Sequence, residues 1–265
     1  MIPPTKLKMV GAHYLKFLRN KKFFHQLVGI LRKFRKAQIY IFKFIEFIIV
    51  FAKCNPRKIR LILKVKSHTM VSFGKLVTLY NFADAIVKNK VEGDLVECGC
   101  WKGGASAILG YIGLQENRKL WLFDSFQGLP NPTAIDGLRT KEMFLEGKIN
   151  KCIGSVRDVQ EIMKKLKIDM EKIVIRKGWF QDTLPTAKDE IERIAMLHID
   201  ADWYSSVKTV LENLYDRVVK NGVIAIDDYG PWEGCKKAVD EFLTIRKIQV
   251  KGKLVQGGYY FRKPF

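Results

Sequence analysis

The chain has 265 residues, 48% of them hydrophobic, enough for one substantial α/β core with sequence left for an extension. Its five cysteines (Cys54, Cys98, Cys100, Cys152 and Cys235) are an odd number without zinc-ligand spacing and read as reduced packing residues, which sets a zinc site aside. The formal charge of +20 is concentrated at one end, because residues 1–66 hold 17 Lys or Arg and a single acid, Glu46. This asymmetry points to an anionic partner for that segment, a membrane surface or a nucleic acid, with a solvated charged face as the plain alternative. The first stretch lacks an uninterrupted apolar core before a small-residue cleavage site, so no signal peptide is expected and the expected location is the cytoplasm.

Residues 37–53 (AQIYIFKFIEFIIVFAK) form the most apolar run, at the lower length limit for spanning a bilayer and interrupted by Lys43 and Glu46. On a helix, Lys36, Lys43, Glu46 and Lys53 fall within an arc of roughly 100°. A narrow polar stripe between basic flanks suits a helix lying in an anionic membrane interface, or one packed in a homo-oligomer contact. Asn55 and Pro56 are expected to end it. Residues 71–90 read as an amphipathic helix. Apolar runs at 94–98, 120–123, 173–176, 194–199 and 223–226 then alternate with helical stretches at 105–115, 156–166 and 205–220, the pattern of a doubly wound, mostly parallel sheet. The tail, 247–262, reads as an antiparallel hairpin about Gly257 and Gly258. The domain expectation is a basic helical extension over 1–70 and an α/β domain over 71–265.

Two acidic clusters follow strand candidates: LHIDADWY (197–204) and VIAIDDYG (223–230). Both place aspartates at strand C-terminal ends, where open α/β sheets bind ligands. Asp200, Asp202, Asp227 and Asp228 would share one crevice, and such like charges are costly without a cation. All-oxygen donors suit a hard ion such as Mg²⁺. Helix N-capping is the alternative for any one of them. The first strand ends in a glycine turn, 97–106 (ECGCWKGGAS), that matches neither the dinucleotide fingerprint nor the P-loop. The second ends in Asp124, placed to bind a ribose hydroxyl pair. Together these features suggest an adenosine-containing cofactor beside Mg²⁺. His198 reads as a core histidine, with acceptor contact as the alternative.

The segments GDLVECGCWKGGAS, LFDSFQGLP, KGWFQDTLP, LHIDADWYSS and GVIAIDDYGPWEGCKKAVDEF resemble the macrocin and mycinamicin O-methyltransferase family over roughly residues 75–245. The resemblance implies a Rossmann-like class I methyltransferase fold, S-adenosylmethionine as methyl donor, and Mg²⁺-dependent methylation of a sugar hydroxyl on a glycan, glycolipid or glycosylated natural product. It implies Glu97, Gly99, Gly103 and Gly104 at the methionine end of the cofactor, Asp124 at the ribose, and Ser125, Phe180 and Asp182 around the adenine. It further implies Asp200, Asp227 and Asp228 as metal ligands and Asp202 as general base. The first acidic run is also similar to the metal strand of catechol-type O-methyltransferases. A nucleic-acid methyltransferase and a non-catalytic membrane adaptor are the weaker alternatives.

Overall fold

The computed structural model describes residues 55–114, 118–149 and 152–264. The chain divides into two compact units, Met1–Lys53 and Cys54–Phe265. The apolar run 37–53 and most of the basic extension lie outside the described residues.

Asn55 and Pro56 begin a helix: α1 spans Pro56–Val65, Asn55 accepts from the Lys58 amide as N-cap, and Pro56 takes the first-turn position. A proline there forfeits no hydrogen bond, so the pair expected to stop one helix starts another. Helix α1 buries Leu61, Ile62 and Val65, and packs on α2 (Phe73–Lys88) and α3 (Gly104–Gly113).

Five strands are parallel: β1 (Asp94–Cys98), β2 (Leu120–Asp124), β3 (Ile173–Lys177), β4 (Ile194–Ile199) and β5 (Val218–Ile226). The tail hairpin, β6 (Lys253–Val255) and β7 (Gly258–Arg262), joins antiparallel through β7 onto β5. The seven-stranded order is β3-β2-β1-β4-β5-β7-β6. Strand β4, apolar but for His198, is buried along its whole length, as a strand covered on both faces must be. Each aliphatic side chain buried this way contributes roughly 1.5–3 kcal/mol. The remaining helices are α4 (Leu138–Leu145), α5 (Val156–Lys165), α6 (Phe180–Glu190), α7 (Tyr204–Leu214) and α8 (Glu233–Ile245).

Helix α7 is shorter than the 205–220 expected from sequence. After a 3-10 turn at Tyr215–Arg217 the chain enters β5 at Val218, paired with Ile194. The Lys220-Asn221-Gly222 stretch reads as a turn, yet it is an irregularity inside the strand: pairing moves from Ile194↔Val218 to Met196↔Val223, with Asn221 at φ 65 absorbing the excess residues.

Strand order reverses at β1 and β4, so their C-terminal tips flank the crevice where this fold binds ligands. The tips are in backbone contact. Asp200 N donates to Cys98 O at 2.9 Å, and Gly99, at φ +91, approaches so closely that a Cβ would sit 1.8 Å from Asp200 O. Only glycine fits this position.

Candidate active site

A cavity of about 750 Å³ opens over the tips of β1, β2, β4 and β5. Of the residues singled out by sequence, Gly99, Asp124, Ser125, Phe180, Asp200, Asp202, Asp227 and Asp228 line it. Glu97, Gly103, Gly104 and Asp182 are not among its lining residues. Asp182 is exposed in the first turn of α6. Gly103, at φ +81, lets the start of α3 meet Val159, and a Cβ on Gly104 would press on the His68 carbonyl at 2.6 Å. These two glycines fit helix packing. Glu97 is 1% exposed and saturated from within: Ser106 Oγ donates to Oε2, and His198 Nδ1 lies 2.8 Å from Oε1. His198 is fully buried in the core, and its Nε2 has no hydrogen-bond partner among the described residues. Burial lowers its pKa, but the bond to Glu97 and that residue's charge overcome this and raise it.

Asp200, just past β4, and Asp227 and Asp228, just past β5, bring one carboxylate oxygen each to within 4.8 Å of one another. Burial, then the charges of Asp227 and Asp228, hold the Asp200 carboxyl well above the usual range. Burial and the Asp227 charge push Asp228 to about 6. Asp202 adopts a left-handed φ of 56 and receives Trp232 Nε1–H on Oδ1 at 2.8 Å. Burial and the Asp228 charge raise it well above an ordinary carboxyl, against the opposing pull of that bond. The Asp227 Oδ1 oxygen is buried with no hydrogen-bond partner among the described residues. Such an orphan inside a like-charged cluster is costly unless something positive occupies the space.

Asp124 accepts from the Trp101 and Phe126 amides, at 2.8 and 2.7 Å, tying the β1 turn to the β2 tip. Burial raises its pKa while those amides oppose the shift. Trp179 and Phe180 enter the cavity from the start of α6. Trp203 and Trp232 pack edge to face at 5.2 Å beside the aspartates. Cys152, another lining residue, is pushed up to about 12 by burial and by the nearby aspartates.

Among the polar residues that the sequence reading does not single out, Lys75 and Asp136 hold the site's geometry. Lys75 on α2, only 7% exposed, donates to Asp227 O at 2.7 Å and to Asp227 Oδ2 at 2.8 Å. Its one signal in sequence is a lysine among the apolar residues of that helix's first two turns. Asp136 accepts from the Tyr204 amide at 2.7 Å and from Thr133 N at 2.8 Å, and Trp203 Nε1 donates to Pro130 O at 2.9 Å. The Tyr204 and Trp203 contacts bind the segment between β2 and α5, which supplies Leu129, Pro130, Met143 and Ile149 to the cavity wall, to the end of the acidic loop after β4. Nothing local distinguishes Asp136 from a turn aspartate.

The family model described as Macrocin-O-methyltransferase (TylF) matches residues 61–263. The chain belongs to the macrocin O-methyltransferase family. The demethyldecarbamoylnovobiocin O-methyltransferase of Streptomyces niveus is 32% identical over 203 residues, covering 74% of this chain and 76% of that protein. The mycinamicin III 3''-O-methyltransferase of Micromonospora griseorubida is 33% identical, covering 66% and 70%. The solved O-methyltransferase NovP superposes with a TM-score of 0.67 at 31% identity, over 75% of this chain and 83% of that one. The chain is thus an S-adenosylmethionine-dependent O-methyltransferase with a Rossmann-like fold, as its motifs implied. No helix among the described residues is long and apolar enough to cross a membrane.

Proposed function

We propose that this enzyme methylates a sugar hydroxyl, with Mg²⁺ held by Asp200, Asp227 and Asp228 and with Asp202 as general base. The observation that carries the reading is the orphaned Asp227 Oδ1 within a trio of convergent carboxylates. The donor set is all oxygen and anionic, which fits a hard divalent ion. A relative from Streptomyces olivaceus, 33% identical over 180 residues and named as the 4'-O-methyltransferase of a rhamnosyl tetracenomycin, supports the substrate class.

S-adenosylmethionine supplies an activated methyl group, and the cation supplies charge that lowers the pKa of an acceptor hydroxyl. The chain's own work is alignment and proton transfer. Gly99 and Asp124, which line the cavity, would hold the methionine end and ribose of the donor, and Ser125 and Phe180 its adenine. Glu97, Gly103 and Gly104 do not line the cavity and would act only by holding the β1 tip and the start of α3 in place, and Asp182 stands exposed in the first turn of α6. The Trp232 bond occupies Asp202 Oδ1 and orients the carboxylate, leaving Oδ2 to accept a proton from the acceptor hydroxyl. The pKa of Asp202, already raised, makes it a stronger base than a solvated aspartate once ionised. Trp232 offers an aromatic wall to a sugar ring, and Trp203, 1% exposed, packs behind it.

Labelled donor offered with Mg²⁺ or with EDTA to glycan, catechol and RNA pools tests the reading. Magnesium-dependent transfer to glycans is expected. Transfer confined to catechols or RNA, or undiminished in chelator, would refute it.

Location and organisation rest on a separate observation. Residues 55–72 carry Arg57, Lys58, Arg60, Lys64 and Lys66 and no acid. Leu63 is 62% exposed among them, while Met70, 48% exposed, also lines the cavity. Cations around exposed apolar side chains suit an anionic lipid surface better than nucleic acid. We infer a cytoplasmic enzyme whose 1–70 extension touches the membrane peripherally, ahead of the catalytic domain at 71–265, and whose acceptor is lipid-linked. Sedimentation with phosphatidylserine vesicles should exceed that with neutral vesicles, and Leu63→Glu should reduce it; equal sedimentation would defeat the idea.

A further inference from the structure

The geometry points to Lys75 as a positioning residue that presets Asp227 for the cation, an inference that rests on the metal reading proposed above. Asp227 stands at the tip of β5, where its amide donates to Ile199 O at 2.8 Å and fixes its backbone to β4. The backbone alone does not decide which way the carboxylate turns. Lys75 does, because its ammonium holds both the Asp227 carbonyl and Oδ2, a two-point grip on one residue. With Oδ2 captured, Oδ1 becomes the oxygen left without a partner, and a carboxylate oxygen of Asp227 converges with those of Asp200 and Asp228.

The ammonium is itself anchored. Lys75 lies in the first turn of α2, whose N-cap Ser72 donates to Gln256 Oε1 in the β6–β7 turn. A Cβ added at the neighbouring Gly74 would meet the Gln256 side chain at 2.7 Å, so helix and turn are in close contact. The same turn takes Gly230 N on Gly257 O at 2.7 Å, which ties it to the loop after Asp228. Lysine, ligand and turn therefore form one assembly around the β5 tip. With all three carboxylates ionised, a single lysine leaves a net charge of −2, the complement of one divalent cation.

Charge and position make opposite predictions here. A nearby ammonium repels a divalent ion, so if Lys75 were only a charge, its removal would tighten cation binding. If it presets Asp227, removal loosens binding, by the roughly 10–100-fold typical of residues that orient a ligand. The experiment titrates Mn²⁺ into the full chain by electron paramagnetic resonance, comparing wild type, Lys75→Met, Lys75→Arg and Asp227→Asn, and measures donor affinity in parallel. Expected are a Mn²⁺ dissociation constant raised about tenfold or more in Lys75→Met, substantial recovery in Lys75→Arg, and donor affinity within about twofold throughout. In the Asp227→Asn background, Lys75→Met should add little, because its route of action is gone. Wild-type or tighter Mn²⁺ binding by Lys75→Met overturns the proposal and leaves the metal reading standing; no Mn²⁺ binding by wild type removes both. Should Lys75→Met not fold, Lys75→Arg and Lys75→Gln decide: a glutamine variant that binds Mn²⁺ like wild type is equally fatal.

Discussion

Two groups of buried carboxylates lie on neighbouring strands and have opposite fates. Glu97, on β1, is closed: each of its oxygens has a partner, Ser106 on one and His198 on the other. Asp200, Asp227 and Asp228 are open: they face one another, two are pushed upward in pKa by burial and mutual charge, and one oxygen has no partner at all. A carboxylate satisfied from within belongs to the fold, whereas carboxylates left to repel one another are arranged for something that arrives later. Distance from the crevice is not what separates them, since His198, the partner of Glu97, lies in β4 only two residues before Asp200, which stands just past its end.

The comparison breaks most sharply at the open group. Asp228→Ala should lower turnover by on the order of 10³-fold and abolish Mn²⁺ binding, while thermal stability without metal holds or rises because a repulsive charge has gone. Full turnover in chelator by this variant would dissolve the distinction between the groups. Asp202→Asn is next in size. Loss of a general base costs about 10²–10⁴-fold in kcat, and Mn²⁺ affinity should change little, because Asp202 is not one of the three converging carboxylates. A parallel collapse of metal binding would move Asp202 from base to ligand.

Glu97→Gln sharpens the other side. It leaves a buried histidine beside a neutral amide and weakens two hydrogen bonds, which costs about 1–3 kcal/mol of stability. For a domain of this size that lowers Tm by roughly 2–4 °C per kcal/mol. Mn²⁺ affinity should stay within a few fold of wild type, read in the same titration. If instead Glu97→Gln abolishes donor binding at unchanged Tm, Glu97 faces the cofactor directly and is not closed.

The open group was legible in sequence and the closed one was not. Asp200, Asp227 and Asp228 sit at the ends of unbroken apolar runs, and strand ends in a parallel sheet converge, so position along the chain is enough to bring them together. The same logic found β1 and β4 residue for residue. The family resemblance puts Glu97 at the cofactor, whereas its bond to His198 spans 101 residues and becomes visible only once β1 and β4 are neighbours. Lys75 and Asp136 were missed for a related reason. Each acts across the fold, Lys75 over 152 residues and Asp136 over 68, and neither stands in a pattern that periodicity can mark. The start of β5 was hidden because a lysine, an asparagine and a glycine inside a strand carry the signature of a turn.

The smallest effect separates the two groups by pH. An aspartate unfolded titrates near 3.9, and Asp228 in the folded protein is pushed up to about 6. For an acid, a raised folded pKa means that the folded state binds the proton more tightly than the unfolded state. Its contribution to stability is therefore complete below about pH 4 and is lost as pH rises through 6. Without metal, the stability difference between wild type and Asp228→Asn should shift against wild type over that window, by on the order of 2 kcal/mol. Excess Mg²⁺ should reverse the trend, because the cation binds the ionised cluster and stabilises the folded state by mass action as protons leave. Chemical denaturation of both proteins at pH 4.5 and 7.5, with Mg²⁺ and with EDTA, reads this directly. The same comparison made with Glu97→Gln should show no Mg²⁺-dependent change between those pH values, since its partners are already in place; a magnesium-sensitive shift there would put both groups in one electrostatic unit.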